Sequence, residues 1–308
     1  MRKTIVTLVA LCAAMAVNAT VLRVSNVSGS TAPYSTVQAA LSAAAEGDTI
    51  MLDASAKKYQ WGRDEKVTKR VVIIGPGYWL QDNGIIQEGS QRACIENYSF
   101  TIAADGVVVI GVWFDSFLEI AKNCKNVIIK RCNIRSGAGL GSNADRCVFH
   151  QNYIRGDITD GGSYHQITNN IFIRHFDTSY TFKAMPHSYI AYNIFMGNNR
   201  ICLKECGDCT VEKNISAGDF YDNGSGTNSY NDNIIVESIK AYNTYDNDII
   251  DSGVQALNLS TTHGAFAGDS PYVISGLPSA PIIEDLIVPT TVEYGSNMNV
   301  TIKLNIQK

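Results

Sequence analysis

The chain has 308 residues, of which 45% are hydrophobic and 18% charged, a composition typical of globular proteins rather than of disordered or collagen-like ones. Its 25 lysines and arginines oppose 29 acidic residues, for a formal net charge of −4. Because the basic residues form no run, the sequence disfavours nucleic acid as a partner.

Residues 1–19 have the features of a secretory signal peptide. Arg2 and Lys3 form a basic start, an apolar stretch covers residues 5–17, and the sequence Val-Asn-Ala at 17–19 fits a cleavage site with small residues. A membrane span needs about twenty apolar residues, so we expect a cleaved leader and no transmembrane segment. The mature chain is then exported, to the periplasm, the cell surface or the medium.

Residues 35–45 predict a short helix that closes one end of the structure. Ser35, followed three residues later by Gln38, forms a capping box, and the apolar residues between 37 and 44 lie on one helical face. Residues 49–52 then begin the first strand.

From residue 107 onwards, a strand-like phrase recurs with a period of roughly 20 residues. Five copies reach a turn asparagine, namely Asn152, Asn170, Asn193, Asn214 and Asn233. This spacing fits one coil of a parallel β-solenoid, in which equivalent residues of neighbouring coils lie about 4.8 Å apart and the asparagines can form a ladder. Leucine-rich repeats have a similar period, but their leucine pattern is absent. The sequence therefore predicts an all-β, single-stranded parallel β-helix.

The predicted β-helix with its N-terminal cap occupies residues 20–275, and residues 276–308 form a C-terminal cap. This tail begins with the turn-rich segment 276–281 and ends in an alternating segment at 300–306. Such a pattern predicts an edge strand or a small capping sheet, and a solenoid needs a plug at each end.

Seven cysteines follow the leader, and an odd number cannot all pair within one chain. The repeat places several of them in the core, where a free thiol behaves as a small hydrophobe. Two alternatives stay open for Cys202, Cys206 and Cys209: a local disulfide, or a zinc site for which no fourth ligand is evident.

Three N-terminal segments, 37–41, 47–52 and 73–78, carry a resemblance to a known family. They are similar to the start of right-handed parallel β-helix proteins of the pectin-lyase-like superfamily, above all to secreted β-helix repeat proteins of Gram-negative bacteria. The resemblance covers about residues 22–305. It implies right-handed coils, and most such proteins have no established activity.

Arg135, Arg155 and Arg174 each follow an isoleucine, three or four residues after consecutive turn positions. Stacking would place their guanidinium groups in one column, about 5 Å apart, where like charges repel unless they are compensated. Asp157 and Asp177 are one source of compensation. A polyuronate chain, whose carboxylates recur along an extended axis, is the other. The candidate substrate-binding residues are Arg135, His175, Tyr153 and Tyr180.

The stretch from residue 156 to 175 also resembles part of the pectate lyases. That resemblance implies Asp157 as a calcium ligand and Arg200 near the catalytic arginine, but Tyr153 stands where a partner aspartate is expected, and Asp177 where a lysine is expected. β-Elimination needs a base for the C5 proton and a cation that stabilises the enolate. The candidate catalytic residues are Arg155, Arg174, Lys183 and Arg200, and the candidate Ca²⁺ ligands are Asp157, Asp160 and Asp177.

We therefore expect an exported, non-catalytic β-helix that presents one face to a polysaccharide, such as an acidic glycan, or to another cell-envelope partner. The first alternative is a polyuronate lyase that uses Ca²⁺, and the second is a purely structural or adhesive surface solenoid. Acidic side chains that converge from successive coils would favour the lyase. An exposed apolar stripe would favour the structural solenoid.

Overall fold

A computed structural model describes residues 19–78, 92–96, 98–173, 180–196, 201–224, 226–236, 262–273 and 276–278, together with the backbone of 281–287 and 301–306. The predicted leader lies outside the described residues up to position 18. No helix in the described part of the chain is long and apolar enough to cross a membrane.

Three parallel sheets, A, B and C, wind around one core, and the chain visits them in that order in each coil. Sheet A has ten strands: β1 (Val21–Val24), β2 (Thr49–Leu52), β5 (Val72–Ile74), β8 (Val108–Ile110), β11 (Ile128–Lys130), β14 (Val148–His150), β17 (Gln166–Thr168), β20 (Tyr189–Ala191), β23 (Thr210–Glu212) and β26 (Ser229–Asn231). Sheet B has nine: β3 (Tyr59–Gln60), β6 (Cys94–Glu96), β9 (Trp113–Phe114), β12 (Asn133–Ile134), β15 (Tyr153–Arg155), β18 (Ile171–Ile173), β21 (Ile194–Met196), β24 (Ile215–Ser216) and β27 (Ile234–Ile235). Sheet C has eight: β4 (Lys66–Val67), β7 (Ser99–Ile102), β10 (Phe117–Ile120), β13 (Ala138–Leu140), β16 (Ile158–Thr159), β19 (Phe182–Lys183), β22 (Ile201–Lys204) and β25 (Phe220–Asn223). The predicted all-β parallel β-helix is confirmed.

The repeat sets the strand register, so equivalent residues stack from coil to coil. On sheet A, Ile128 pairs with Val108 on one side and with Val148 on the other. Because successive side chains of a strand point to opposite faces, the next residue of each strand enters the core. These inward residues are fully buried: Val109, Ile129 and Phe149. The seven cysteines of the described chain are buried thiols outside any disulfide, as predicted for core positions.

The predicted asparagine ladder runs along the corner between sheets A and B. Asn170 Oδ1 accepts the N–H of Asn152 at 2.8 Å, and Asn170 Nδ2 donates to Asn193 Oδ1 at 3.0 Å and to the Phe149 carbonyl at 2.8 Å. The residue before each ladder asparagine has a left-handed backbone, with φ between 52° and 58° in Gln151, Asn169, Tyr192, Lys213 and Asp232. The ladder thus satisfies buried polar groups at the turn of each coil.

The predicted N-terminal cap is a short helix, α1 (Val37–Ala43), which buries Val37, Ala40 and Leu41 in the core. Its N-cap is Thr36, whose side chain accepts the N–H of Ala39 at 3.2 Å. The predicted cap, Ser35, was wrong by one residue. Thr36 has the extended backbone that an N-cap needs, with φ −132° and ψ 151°.

In the described part of the chain, the last strand of the coils ends at Ile235. The tail after residue 276 contains an antiparallel pair, β28 (Pro281–Ile287) and β29 (Thr301–Ile306). Residues 262–273 and 276–278, which we call the strap, lie outside the coils, on the outer face of sheet B. Ala265 and Tyr272 of the strap share an apolar cluster with Tyr153 of that sheet.

Candidate functional site

The corner between sheets B and C carries most of the predicted site residues. Its connections have two residues between β9 and β10, but eight between β18 and β19 and four between β21 and β22. Predicted residues at this corner are Arg135, Arg155, Asp157, Arg174, His175, Asp177, Tyr180 and Arg200. Four of them, Arg174, His175, Asp177 and Arg200, lie outside the described residues.

The predicted arginine column is shorter than expected. The register of β12 and β15 places Arg135 level with Arg155, but Arg155 pairs with Ile173 of the next coil. The third place of the column therefore holds an isoleucine and not Arg174, because Arg135 and Arg155 stand three residues after the turn positions 132 and 152, whereas Arg174 stands four residues after Asn170. Arg135 Nη1 binds Asp115 Oδ1 at 2.7 Å, so a carboxylate of the preceding coil compensates it rather than Asp157.

Arg135 belongs to a charge network that continues towards the N-terminal coils. Lys58 Nζ lies 2.6 Å from Asp115 Oδ2 and 3.0 Å from Glu96 Oε1. Partial burial opposes ionisation of Asp115, but hydrogen bonds from Lys58 and Arg135 lower its pKa below the ordinary value. Hydrogen bonds from Gln60 and Lys58 likewise lower the pKa of Glu96. The network balances two cations with two carboxylates and is itself neutral.

A second cluster, the Tyr180 cluster, lies on the outer face of sheet C, and consists of Tyr180, Lys183, Lys204, Asp160 and Glu205. Lys183 and Lys204 are register partners on β19 and β22, and their Nζ atoms lie 5.5 and 5.7 Å from the centre of the Tyr180 ring. Lys183 also binds Asp160 Oδ1 at 2.5 Å, while Lys204 lies 3.9 Å from Glu205. The hydrogen bond to Asp160 raises the pKa of Lys183, so its ammonium group is charged at neutral pH.

The Tyr180 cluster can bind a flexible anionic chain. Cation–π contact holds two ammonium groups on one ring, within the distance at which this attraction acts. The lysine side chains remain 27% and 34% exposed, and their carboxylate partners are 58% and 57% exposed. Exposed ion pairs of this kind are worth at most about 1 kcal/mol, so an external carboxylate can displace the internal one.

Of the three predicted calcium ligands, the structure describes Asp157 and Asp160, while Asp177 lies outside the described residues. Asp157 lies in the turn before β16, with a buried Oδ1, and Asp160 follows the same strand and binds Lys183. Among the described residues, no group of three or more histidines, cysteines, aspartates or glutamates is arranged to hold a metal ion. In this structure, Asp160 is therefore the ion-pair partner of Lys183.

Tyr153, predicted as a substrate-binding residue, needs correction. Its side chain points outwards on sheet B, but it is only 1% exposed, because Ala265 and Tyr272 of the strap pack in the same apolar cluster. It therefore offers no surface to a glycan in this structure. The alternating pattern of β15 predicts from the sequence that Tyr153 points outwards. The burial of Tyr153 comes from the strap, which follows the last coil in the sequence.

Sequence reasoning did not name Lys204 as a site residue. The repeat could have identified Lys204, because this residue occupies the position equivalent to Lys183 in the following coil. No family model matches the chain, and no curated protein or solved structure matches it either. The resemblance to the pectin-lyase-like superfamily accordingly stays an expectation.

Proposed function

We propose that the chain acts after export as a non-catalytic β-helix that binds acidic polysaccharide with the outer face of sheet C. The observation that carries this proposal is the Tyr180 ring, whose centre lies within 5.7 Å of the ammonium groups of both Lys183 and Lys204 on neighbouring coils. Neighbouring parallel strands lie about 4.8 Å apart, so the two charges are arranged along the solenoid axis. An extended polyanion aligned with that axis can meet both.

The distribution of charge supports a local rather than a global attraction. The full chain carries a formal net charge of −4, so it does not attract polyanions as a whole. Arg135 and Lys58 are already compensated by carboxylates in the charge network. The Tyr180 cluster combines cations with an aromatic ring on strands that follow the B–C connections of eight and four residues, whose sequences add Arg174, His175 and Arg200.

The test is affinity electrophoresis of the purified mature protein in gels that contain pectate, alginate or a glycosaminoglycan, each with and without calcium. We expect retardation by at least one acidic glycan, and we expect Lys183→Ala/Lys204→Ala to weaken it at least about tenfold in Kd. The matched control is Lys122→Ala/Lys125→Ala, which also removes two exposed lysines but lies in the turn between sheets C and A. Equal losses in both variants would show that binding follows overall charge and not the Tyr180 cluster.

The same incubations distinguish the lyase alternative. Elimination produces an unsaturated uronate that absorbs in the ultraviolet, so a rising trace would replace the proposal of a non-catalytic binder. Loss of that rise in Arg155→Ala would then locate the chemistry at the B–C corner. We expect a flat trace, because in this structure Asp160 is engaged by Lys183.

The outer face of sheet A favours a second candidate function, a structural or adhesive solenoid. Its outward residues are apolar in several consecutive coils, in columns that include Val72, Val108, Ile128 and Val148 and also Ile74 and Ile110. All six are half-buried rather than covered, and contiguous apolar stripes of this kind mark contact surfaces. Retention on a phenyl resin that falls in Val108→Lys/Ile128→Lys, with glycan binding unchanged, would support this second role.

A further inference from the structure

The outer face of sheet B has the anatomy of a peptide-binding groove. Outward side chains of six consecutive coils form its floor, which is apolar except for Asn133: Trp113, Asn133, Tyr153, Ile171, Ile194 and Ile215. The strap lies along this floor without joining any sheet, and it runs opposite to the direction of coil growth. Its contacts are those of a bound extended peptide rather than those of a further coil.

One rim of the groove is built by the left-handed corner residues that precede the asparagine ladder. Asn169 Nδ2 donates to the carbonyl oxygens of Ala265 and Ala267, at 3.1 and 2.9 Å. Gln151 Nε2 donates to the carbonyl oxygens of Ser270 and Pro271, at 3.1 and 2.5 Å. These side chains donate to the main chain of the strap and not to its side chains, so they can bind any extended segment that fits the floor.

Arg131 extends the same rim at its far end. Its side chain is 2% exposed, and its Nη1 donates to the Leu277 carbonyl at 2.7 Å while its Nε donates to Gln151 Oε1 at 2.7 Å. Burial of a guanidinium group costs free energy unless its hydrogen-bond acceptors stay in position. Arg131 thus ties the rim to the end of the strap.

Selectivity comes from the size of the strap side chains. Gly264 has φ +75°, and a Cβ built there would lie 2.8 Å from Ile215 Cδ1 and 3.1 Å from Ile194 Cγ1. Ala265 and Ala267 are 0% and 1% exposed, so they leave no room for larger residues. At the other end, the Tyr272 hydroxyl meets the Tyr78 hydroxyl at 2.6 Å in a buried pair. The groove therefore fits small residues followed by a tyrosine.

The chain between the coils and the strap is much longer than the gap that it spans. His263 Nε2 lies 3.2 Å from Asp232 Oδ1 in the last coil, so the strap begins beside the place where the coils end. Residues 237–261 nevertheless separate the two in the sequence, and a chain of that length can extend about 80 Å. This length lets a strap reach the groove of another molecule.

We propose that the outer face of sheet B is a peptide-binding groove whose partner is the strap of a second copy of this chain. In a single molecule, the tethered strap occupies the groove at an effective concentration of about millimolar, so the second copy binds when the resident strap is weakened or displaced. This inference is independent of glycan binding, which we place on sheet C.

The test uses two full-length variants with complementary defects. Gly264→Val leaves the groove intact but gives the resident strap a clash with Ile215 and an unfavourable backbone. Gln151→Ala/Asn169→Ala leaves the strap intact but removes the main-chain donors of the rim. We expect each variant to be monomeric alone, and an equimolar mixture at about 100 μM to form a heterodimer in size-exclusion chromatography with light scattering.

A fluorescent peptide of residues 262–278 provides the second readout. It should bind Gly264→Val at least about a hundredfold more tightly than the unaltered chain, whose own strap competes. A Gly264→Val version of the peptide should bind at least about a hundredfold more weakly than the unaltered peptide. Absence of peptide binding at about 1 mM would overturn the groove, and peptide binding without a heterodimer would overturn the second copy as its partner.

If Gly264→Val does not fold, a chain with a protease site inserted between residues 245 and 246 replaces it. After cleavage, the C-terminal fragment should remain bound and should be displaced by excess labelled peptide. Failure of the labelled peptide to enter the groove of the cut protein overturns the proposal.

Discussion

Replacement of Asn170 by alanine tests how the coils are held together. Asn170 is fully buried, and its side chain makes four hydrogen bonds. Its Oδ1 accepts from the main-chain N–H and the Nδ2 of Asn152, at 2.8 and 3.0 Å. Its Nδ2 donates to the Phe149 carbonyl and to Asn193 Oδ1, at 2.8 and 3.0 Å. Asn170→Ala removes all four at once.

The magnitude follows from which partners keep another bond. Asn152 Nδ2 still donates to the Ile129 carbonyl, and Asn193 Oδ1 still accepts the main-chain N–H of residue 170. The N–H of Asn152 loses its partner inside the core, whereas the carbonyl of Phe149 keeps the ladder hydrogen bond of its strand with β17. A buried polar group left unsatisfied costs about 1 to 3 kcal/mol, and each further hydrogen bond lost between groups that keep another partner costs about 0.5 to 1.5 kcal/mol. We therefore expect a loss of about 4 kcal/mol, a large part of the 5 to 15 kcal/mol that stabilise a typical domain.

The assay is urea unfolding followed by far-ultraviolet circular dichroism, with the slope m compared between variants. The matched control is Asn233→Ala at the end of the same ladder. Asn233 Oδ1 accepts from the N–H of Asn214 at 3.0 Å, but Asn233 is only half-buried, so water can replace it at a cost of about 1 kcal/mol. Equal losses in the two variants, at unchanged m, would refute the argument that burial makes the ladder strong.

Three further predictions concern the cap, the pH dependence and the thiols. Thr36→Ala should lower the free energy of unfolding by about 1 kcal/mol, because it removes the acceptor for the Ala39 N–H. The control Ser35→Ala should change the free energy of unfolding by less than about 0.5 kcal/mol. An equal effect of the two substitutions would contradict Thr36 as the N-cap. Burial and the nearby Lys130 lower the pKa of His150 from 6.5 to about 4, so the unfolded chain takes up the proton first and stability should fall as the pH falls from 6.5 to 4. Urea unfolding at pH 7 and pH 5 should show a smaller fall in His150→Gln than in the unaltered chain, and an unchanged fall would exclude His150 as its source. The seven buried thiols should not react with Ellman's reagent until the chain is unfolded, since only an exposed thiolate reacts, and fast labelling of the native protein would contradict their burial.

The fold could be predicted from the sequence because every coil of a solenoid has the same local structure. Each coil buries the same positions and turns at the same asparagine, so a period of about 20 residues predicts both the strands and the ladder from Asn152 to Asn233. The short helix after Thr36 was equally accessible, since capping residues and an apolar stripe are local signals. Its cap differed by one residue because the backbone conformation, and not the side-chain type, selects the N-cap.

The candidate sites were harder to predict, since outward side chains stack only where they stand at the same distance from the turn position of each coil. Arg155 stands three residues after Asn152, whereas Arg174 stands four residues after Asn170, so Ile173 and not Arg174 is level with Arg155. The Tyr180 cluster depends on pairing between β19 and β22, which brings Lys204 to an aromatic ring of the preceding coil.

By itself, the sequence determined the coil, the inward face of each strand and the corner asparagines, since these depend on periodicity within a single repeat. Only the tertiary structure decided which outward faces stay open. Tyr153 and Lys183 both occupy outward positions of strands, yet Tyr153 is 1% exposed while the Lys183 side chain is 27% exposed. The difference arises because the strap returns along sheet B and leaves sheet C uncovered at Lys183. Such a long-range return leaves no periodic signal in the residues that it covers.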